Sequence, residues 1–117
     1  MAQEIKITTT LRYAKSPASA SLSTTFASNQ TGDKYEAGVA SIATTETVLH
    51  KGDIGTIGYM SVRNNDTVNS VQLGGSTGVY SVKLLPGEGT TGPWQHANVY
   101  ALANTAAVEV EFLLIEA

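Results

Sequence analysis

His50 and His96 are the only side chains of this sequence that would titrate near neutrality in an unperturbed setting. His50 precedes Lys51-Gly52-Asp53 and His96 follows Trp94-Gln95, which places both at strand ends or in loops. A hydrolase would pair one of them with a serine and with Asp53 or Asp66, yet no Gly-x-Ser-x-Gly elbow exists to present the nucleophile. Ser76, inside Gly74-Gly75-Ser76-Thr77-Gly78, comes nearest to one, and a flexible hairpin loop accounts for it better. The same glycine run lacks the Gly-Lys-Ser/Thr ending of a phosphate-binding loop. No two possible ligands among the histidines and carboxylates share an i, i+2 or i, i+4 spacing with a third that would define a metal site. Asp33, Asp53 and Asp66 do not form the acidic loop of a calcium hand, and Asn64-Asn65-Asp66 reads as a turn whose short polar side chains cap their own backbone. The expectation is no catalytic residue, no metal ligand and no cofactor site.

Trp94, the single tryptophan, follows Gly92-Pro93 at the mouth of a strand. A core plug with its indole nitrogen bonded to backbone is the favoured reading; an interface anchor or a sugar-stacking platform is the alternative. A carbohydrate site would normally show several exposed aromatics, whereas aromatic residues make up 7% of the chain.

These residues need a scaffold, and composition says how large it is. The 117 residues suit one domain with a single core. Charged residues are 15% of the total, below the usual quarter or so, which leaves a hydroxyl-rich and nearly neutral surface. With a net charge of -3 and seven Lys plus Arg scattered along the chain, no basic stripe is available for phosphates, so nucleic acid is not an expected partner. The absence of cysteine rules out disulfides and thiolate metal sites. No stretch approaches the roughly 18 apolar residues of a membrane span, and Met1-Ala2-Gln3-Glu4-Ile5-Lys6 lacks the pattern of a signal peptide. The expectation is a protein made and used in solution, with no membrane partner. The sequons at Asn29 and Asn65 read as chance products of a chain rich in Asn and Thr.

Ile5, Ile7, Thr9, Leu11 and Tyr13 alternate with Lys6, Thr8, Thr10 and Arg12, a period of two that predicts a strand with one buried face. A breaker at 15–20 and a second alternating run from Ser21 to Ser28 follow. Tyr35 to Thr45 reads as a strand, and Lys51 to Gly58, with three glycines, as a tight connection. Further strands are expected over Tyr59 to Arg63, Ser70 to Leu73, Val79 to Leu85, Trp94 to Ala103 and Ala107 to Ile115, cut by turn signals at Asn64–Thr67, Leu73–Gly78, Leu85–Gly89 and Ala103–Thr105. The predicted fold is all-β: a two-layer antiparallel β-sandwich, jelly-roll-like, of about eight strands with minimal helix. Residues 1–117 form one sandwich domain in this reading, with the N-terminal strand 3–13 able to serve as an interaction arm. Ile5, Ile7, Leu11, Phe26, Val62, Val71, Val82, Leu84, Val99, Val110 and Phe112 are expected in or near the core. The last strand turns apolar on both faces at Leu113 to Ile115 and so needs cover on both, for which a neighbouring subunit is preferred over a folded-back N-terminal segment. Ile5, Ile7, Trp94, Leu113 and Ile115 are the interface candidates.

The run Gly58-Tyr59-Met60-Ser61-Val62-Arg63-Asn64-Asn65-Asp66, then Val71-Gln72-Leu73-Gly74, Lys83-Leu84-Leu85-Pro86-Gly87-Glu88 and Tyr100-Ala101-Leu102-Ala103-Asn104-Thr105, resembles small β-rich virion proteins of tailed bacteriophages. The likeness covers about half the chain, from near Gly52 to the end, and its motifs are turns and strands without a reactive residue. It implies a role in a virus particle assembled in the host cytoplasm. Among such proteins a capsid decoration (cement) protein is preferred, which resembles this chain in being small, cysteine-free and all-β, and which would be non-enzymatic and form a homo-oligomer, favoured as a trimer, in contact with the major capsid protein or other virion proteins. A tail or neck component (tail tube, completion or fibre-associated) is the alternative, and a carbohydrate-binding module is a lesser one.

Overall fold

The computed structural model describes residues 4–117, and among them every regular element is a strand. In chain order these are β1 (Ile5–Lys15), β2 (Ala18–Ser28), β3 (Tyr35–Ile42), β4 (Thr47–Val48), β5 (Ile57–Asn64), β6 (Val71–Gly74), β7 (Val82–Leu84), β8 (Gly89–His96), β9 (Tyr100–Ala103) and β10 (Val108–Glu116). All pairings are antiparallel, in three sheets: the hairpin β1-β2, a four-stranded sheet in the order β3-β10-β5-β8, and a second in the order β4-β9-β6-β7. The chain divides into two compact units, one ending at Thr31 and the other spanning Gly32–Ala117. The sandwich is therefore Gly32–Ala117 and not the whole of 1–117. β1 begins at Ile5, and residue 3 of the expected arm lies outside the described residues.

In the sandwich the alternation of β10 decides the layers. Val108, Val110, Phe112 and Leu114 point inward and are buried, while Glu109, Glu111 and Leu113 point outward. From the same sheet Ile42, Met60 and Val62 join them, and Val71, Leu73, Leu84, Ala101 and Ala103 close the core from the other sheet. Ala103 pairs with Val71 and Ala101 with Leu73, so small and large side chains alternate across the inner face.

Turn chemistry seen in the sequence acts as expected. Leu85-Pro86-Gly87-Glu88 closes with the Glu88 N–H donating to the Leu85 carbonyl at 2.9 Å, and Gly87 takes φ +83°, the left-handed position that a type II turn with proline before it requires. At Gly74 space is the constraint: a Cβ there would lie 1.7 Å from the Val79 carbonyl oxygen.

Three expectations change. Leu11 and Phe26 are not in the core; they are 75% and 42% exposed, and Ile7 is half-buried. A period-two pattern defines an apolar face, but a two-stranded hairpin brings no second layer to bury it. The run Trp94 to Ala103 is two strands in different sheets. Trp94 and Gln95 stand opposite the single residue Gly58 in a bulge, Gln95 takes φ +59°, and the chain then crosses through Val99 from one layer to the other. Val79 is outside β7 and 61% exposed, because Gly78 turns the chain at φ +75° and Val79 only bridges back to Ser76.

Phe112→Ala should destabilise the protein by about 3–5 kcal/mol, whereas Leu11→Ala should change stability by no more than about 0.5 kcal/mol. Denaturant midpoints of both variants check this, and equal losses would contradict the assignment of the two residues to different environments.

Candidate functional site

The residues suited to chemistry do not converge. His50 lies 3.7 Å from the Glu36 carboxylate at the surface, and His96 packs on Gly75, where a Cβ would approach its ring to 2.6 Å. Ser76 sits in an exposed turn. Among the described residues no group of three His, Asp or Glu side chains is placed to hold a metal ion.

Asp66 and Asn64 are occupied with structure. Asp66 accepts from the backbone N–H groups of Asn69 and Val68, which hold its carboxyl below the ordinary range. Asn64, fully buried, accepts from the Asp66 N–H at 2.8 Å and donates to the carbonyls of Asn69 (3.0 Å) and Leu84 (3.1 Å). Ser70 and Asn104 continue this network: the Ser70 N–H donates to the Asn104 side chain and the Asn104 N–H to the Ser70 carbonyl. Elsewhere Glu46 accepts from the Tyr80 hydroxyl at 2.6 Å and the Gly78 N–H at 2.8 Å, which lowers the acid and raises the phenol.

Trp94 is half-buried against the core and donates its indole N–H to the Asn98 carbonyl at 2.9 Å, with His96 edge-on at 5.3 Å between ring centroids. This is the core-plug arrangement. Of the other interface candidates, Ile5 is buried, Ile7 and Ile115 are half-buried, and Leu113 is 39% exposed.

Two surfaces stand out instead. In the hairpin, the register Ile7↔Phe26, Leu11↔Leu22 and Tyr13↔Ala20 puts all these side chains on one face, and Leu22 and Tyr13 are 71% and 55% exposed. The other face carries Lys6, Thr8, Thr10 and Arg12 opposite Ala27, Thr25, Ser23 and Ser21. From Ile5 to Ser28 there are three basic residues and no acidic one, a charge of +3. Gly32–Ala117 holds four basic against nine acidic residues, a charge of -5, and Glu4 completes the total of -3. The second surface is the outer face of β3-β10-β5-β8. Its rows run from Tyr35, Ile115 and Tyr59, through Ala37, Leu113 and Ser61, to Val39, Glu111 and Arg63, then Ser41 and Glu109. One end is thus apolar and the other charged. A shallow groove follows the middle of this face, lined by Ala37, Gly38, Ser61, Phe112 and Leu113 and by the Arg63–Glu111 ion pair.

Sequence reasoning placed Leu22, Tyr35 and Val39 in strands but did not name them as interface candidates. Register was the missing signal, because only the Lys15↔Ala18 closure at Ser16-Pro17 aligns Leu22 with Leu11. Comparison of the chain with protein-family models, with curated proteins and with solved structures finds no match.

Because the folded carboxyl of Asp66 titrates below its unfolded value, its contribution is present above that value, ordinarily 3.8, and lost as pH falls through the folded one. Asp66→Ala should therefore be less stable than the parent at pH 7, with the gap narrowing as pH drops below about 4. Denaturation midpoints at pH 7, 5 and 3 measure it, and a gap independent of pH would refute the role.

Proposed function

We propose that this chain is a non-enzymatic structural protein of a tailed-bacteriophage virion, most specifically a capsid decoration protein that acts through oligomeric surface contacts. The observation that carries the reading is the exposed apolar face of the hairpin, where Leu11 and Leu22 stand 75% and 71% exposed beside each other on a separate unit of the chain. Contiguous apolar surface of this kind is a contact surface awaiting cover. The motifs behind the resemblance to phage virion proteins support it in a second way: the Asn64–Asp66 turn, the Leu-Pro-Gly-Glu turn and the Ala-Asn turn all build the sandwich frame and leave its outer faces for contacts. The partners in this reading are further copies of the chain, favoured as a trimer, and the major capsid protein. Neither nucleic acid nor membrane enters it, and the protein's place is the virion.

The test is the particle. Particles purified from a phage that encodes this chain should contain it in stoichiometric amount, with density at regular positions on the head, and Leu113→Glu should lower its occupancy several-fold. Density confined to the tail or neck would replace decoration with the tail reading. Specific retention on a glycan array, with no density on any particle, would replace both.

A further inference from the structure

We propose that the β1–β2 hairpin of one copy docks, apolar face down, on the outer face of the β3-β10-β5-β8 sheet of a second copy, with Lys15 at the hairpin tip meeting Glu109. The contact rests on the oligomeric part of the reading above and supplies its geometry.

Charge complementarity selects the occupant. The hairpin carries +3 with no acidic residue, and the sandwich carries -5, so hairpin repels hairpin, sandwich repels sandwich, and the unlike pair attracts. Spacing then selects the place. Lys15 shares the apolar face of β1 with Leu11, four residues away, and Glu109 shares the outer face of β10 with Leu113, also four residues away. Both separations are about 13 Å along a strand. With β1 laid antiparallel to β10, Leu11 and Leu22 meet Leu113 at the groove bounded by Ala37, Gly38 and Ser61 while Lys15 reaches Glu109. Glu111 already pairs with Arg63, whereas Glu109 has no ion-pair partner among the described residues. Small side chains beside Leu113 leave room for an incoming leucine.

Area explains why the exchange closes on itself. One face of an 11-residue hairpin covers about 350 Å², short of the roughly 800 Å² per partner of a stable interface. If each copy donates one hairpin and receives another, as in a head-to-tail ring, each copy buries about 700 Å² over two contacts, and closure of the ring makes each contact depend on the others.

The natural chain has no cysteine, so single-cysteine variants of the full chain report the contact directly. Lys15→Cys and Glu109→Cys, mixed under mild oxidation at micromolar concentration, should give the mixed disulfide at least tenfold faster than Lys15→Cys mixed with Lys83→Cys, which lies on the other sheet. In sedimentation velocity the unmodified chain should associate, Lys15→Glu should weaken association about fivefold or more, and Lys15→Glu mixed with Glu109→Lys should regain it. Leu11→Ser, at a site 75% exposed in the single chain, should weaken association about tenfold while leaving the denaturation midpoint in place. Association that persists with equal disulfide rates at Glu109 and Lys83 would overturn this contact and leave the oligomer itself standing. A chain that stays monomeric throughout would overturn both.

Discussion

The sandwich depends on β10. It lies between β3 and β5, and without it those strands share no hydrogen bond, so the sheet that carries half the core is joined only when the last part of the chain arrives. Its inward residues Val108, Val110, Phe112 and Leu114 form an unbroken buried row. A Cβ built on Gly38 of β3 would lie 3.5 Å from the Phe112 ring, at ordinary van der Waals distance, so the ring stands over this glycine. Burial along this one strand sets the spacing of the layers, and the register of its neighbours follows from its alternation.

Given that layer, the end of the sandwich where β5, β6 and β7 turn is held by polar groups. Asn64 is a buried amide whose donors and acceptor are all engaged, and through it the ends of β5 and β7, in different sheets, share one side chain. A buried amide left unpaired would cost more than the bonds gain, so such a network holds one arrangement of turns against its alternatives. Asp66, one of the carboxylates a hydrolase would have needed, is thereby committed to architecture together with Asn64. What remains for contact is large-scale: a charged and apolar outer sheet, and a hairpin whose faces differ.

Much of this was legible in residue order. Alternation in β10 and β5, the proline-glycine turn, the Asn/Asp turn and the engaged indole of Trp94 all follow from local rules, because a strand's period and a turn's dihedral demands depend on few neighbours. The split of Trp94–Ala103 was not legible, since a left-handed Gln95 leaves no compositional mark as a glycine would, and β4 is too short to carry a period. The hairpin face was half legible: Ile7, Leu11 and Phe26 read as buried because a pattern shows which residues share a face and not whether anything covers it.

By itself, then, the sequence determined an all-β chain without disulfides, the positions of most strands and turns, and which side chains lie on the same side of each strand. Tertiary structure alone decided that eight strands form the sandwich while the other two form a hairpin in a different unit, that Leu11 and Leu22 meet on an exposed face, and that the +3 stretch Ile5–Ser28 and the -5 stretch Gly32–Ala117 fall in different units. The physical reason is that local backbone preferences act over a few residues, whereas cover, register and charge separation arise only when segments distant in the chain are brought together or held apart.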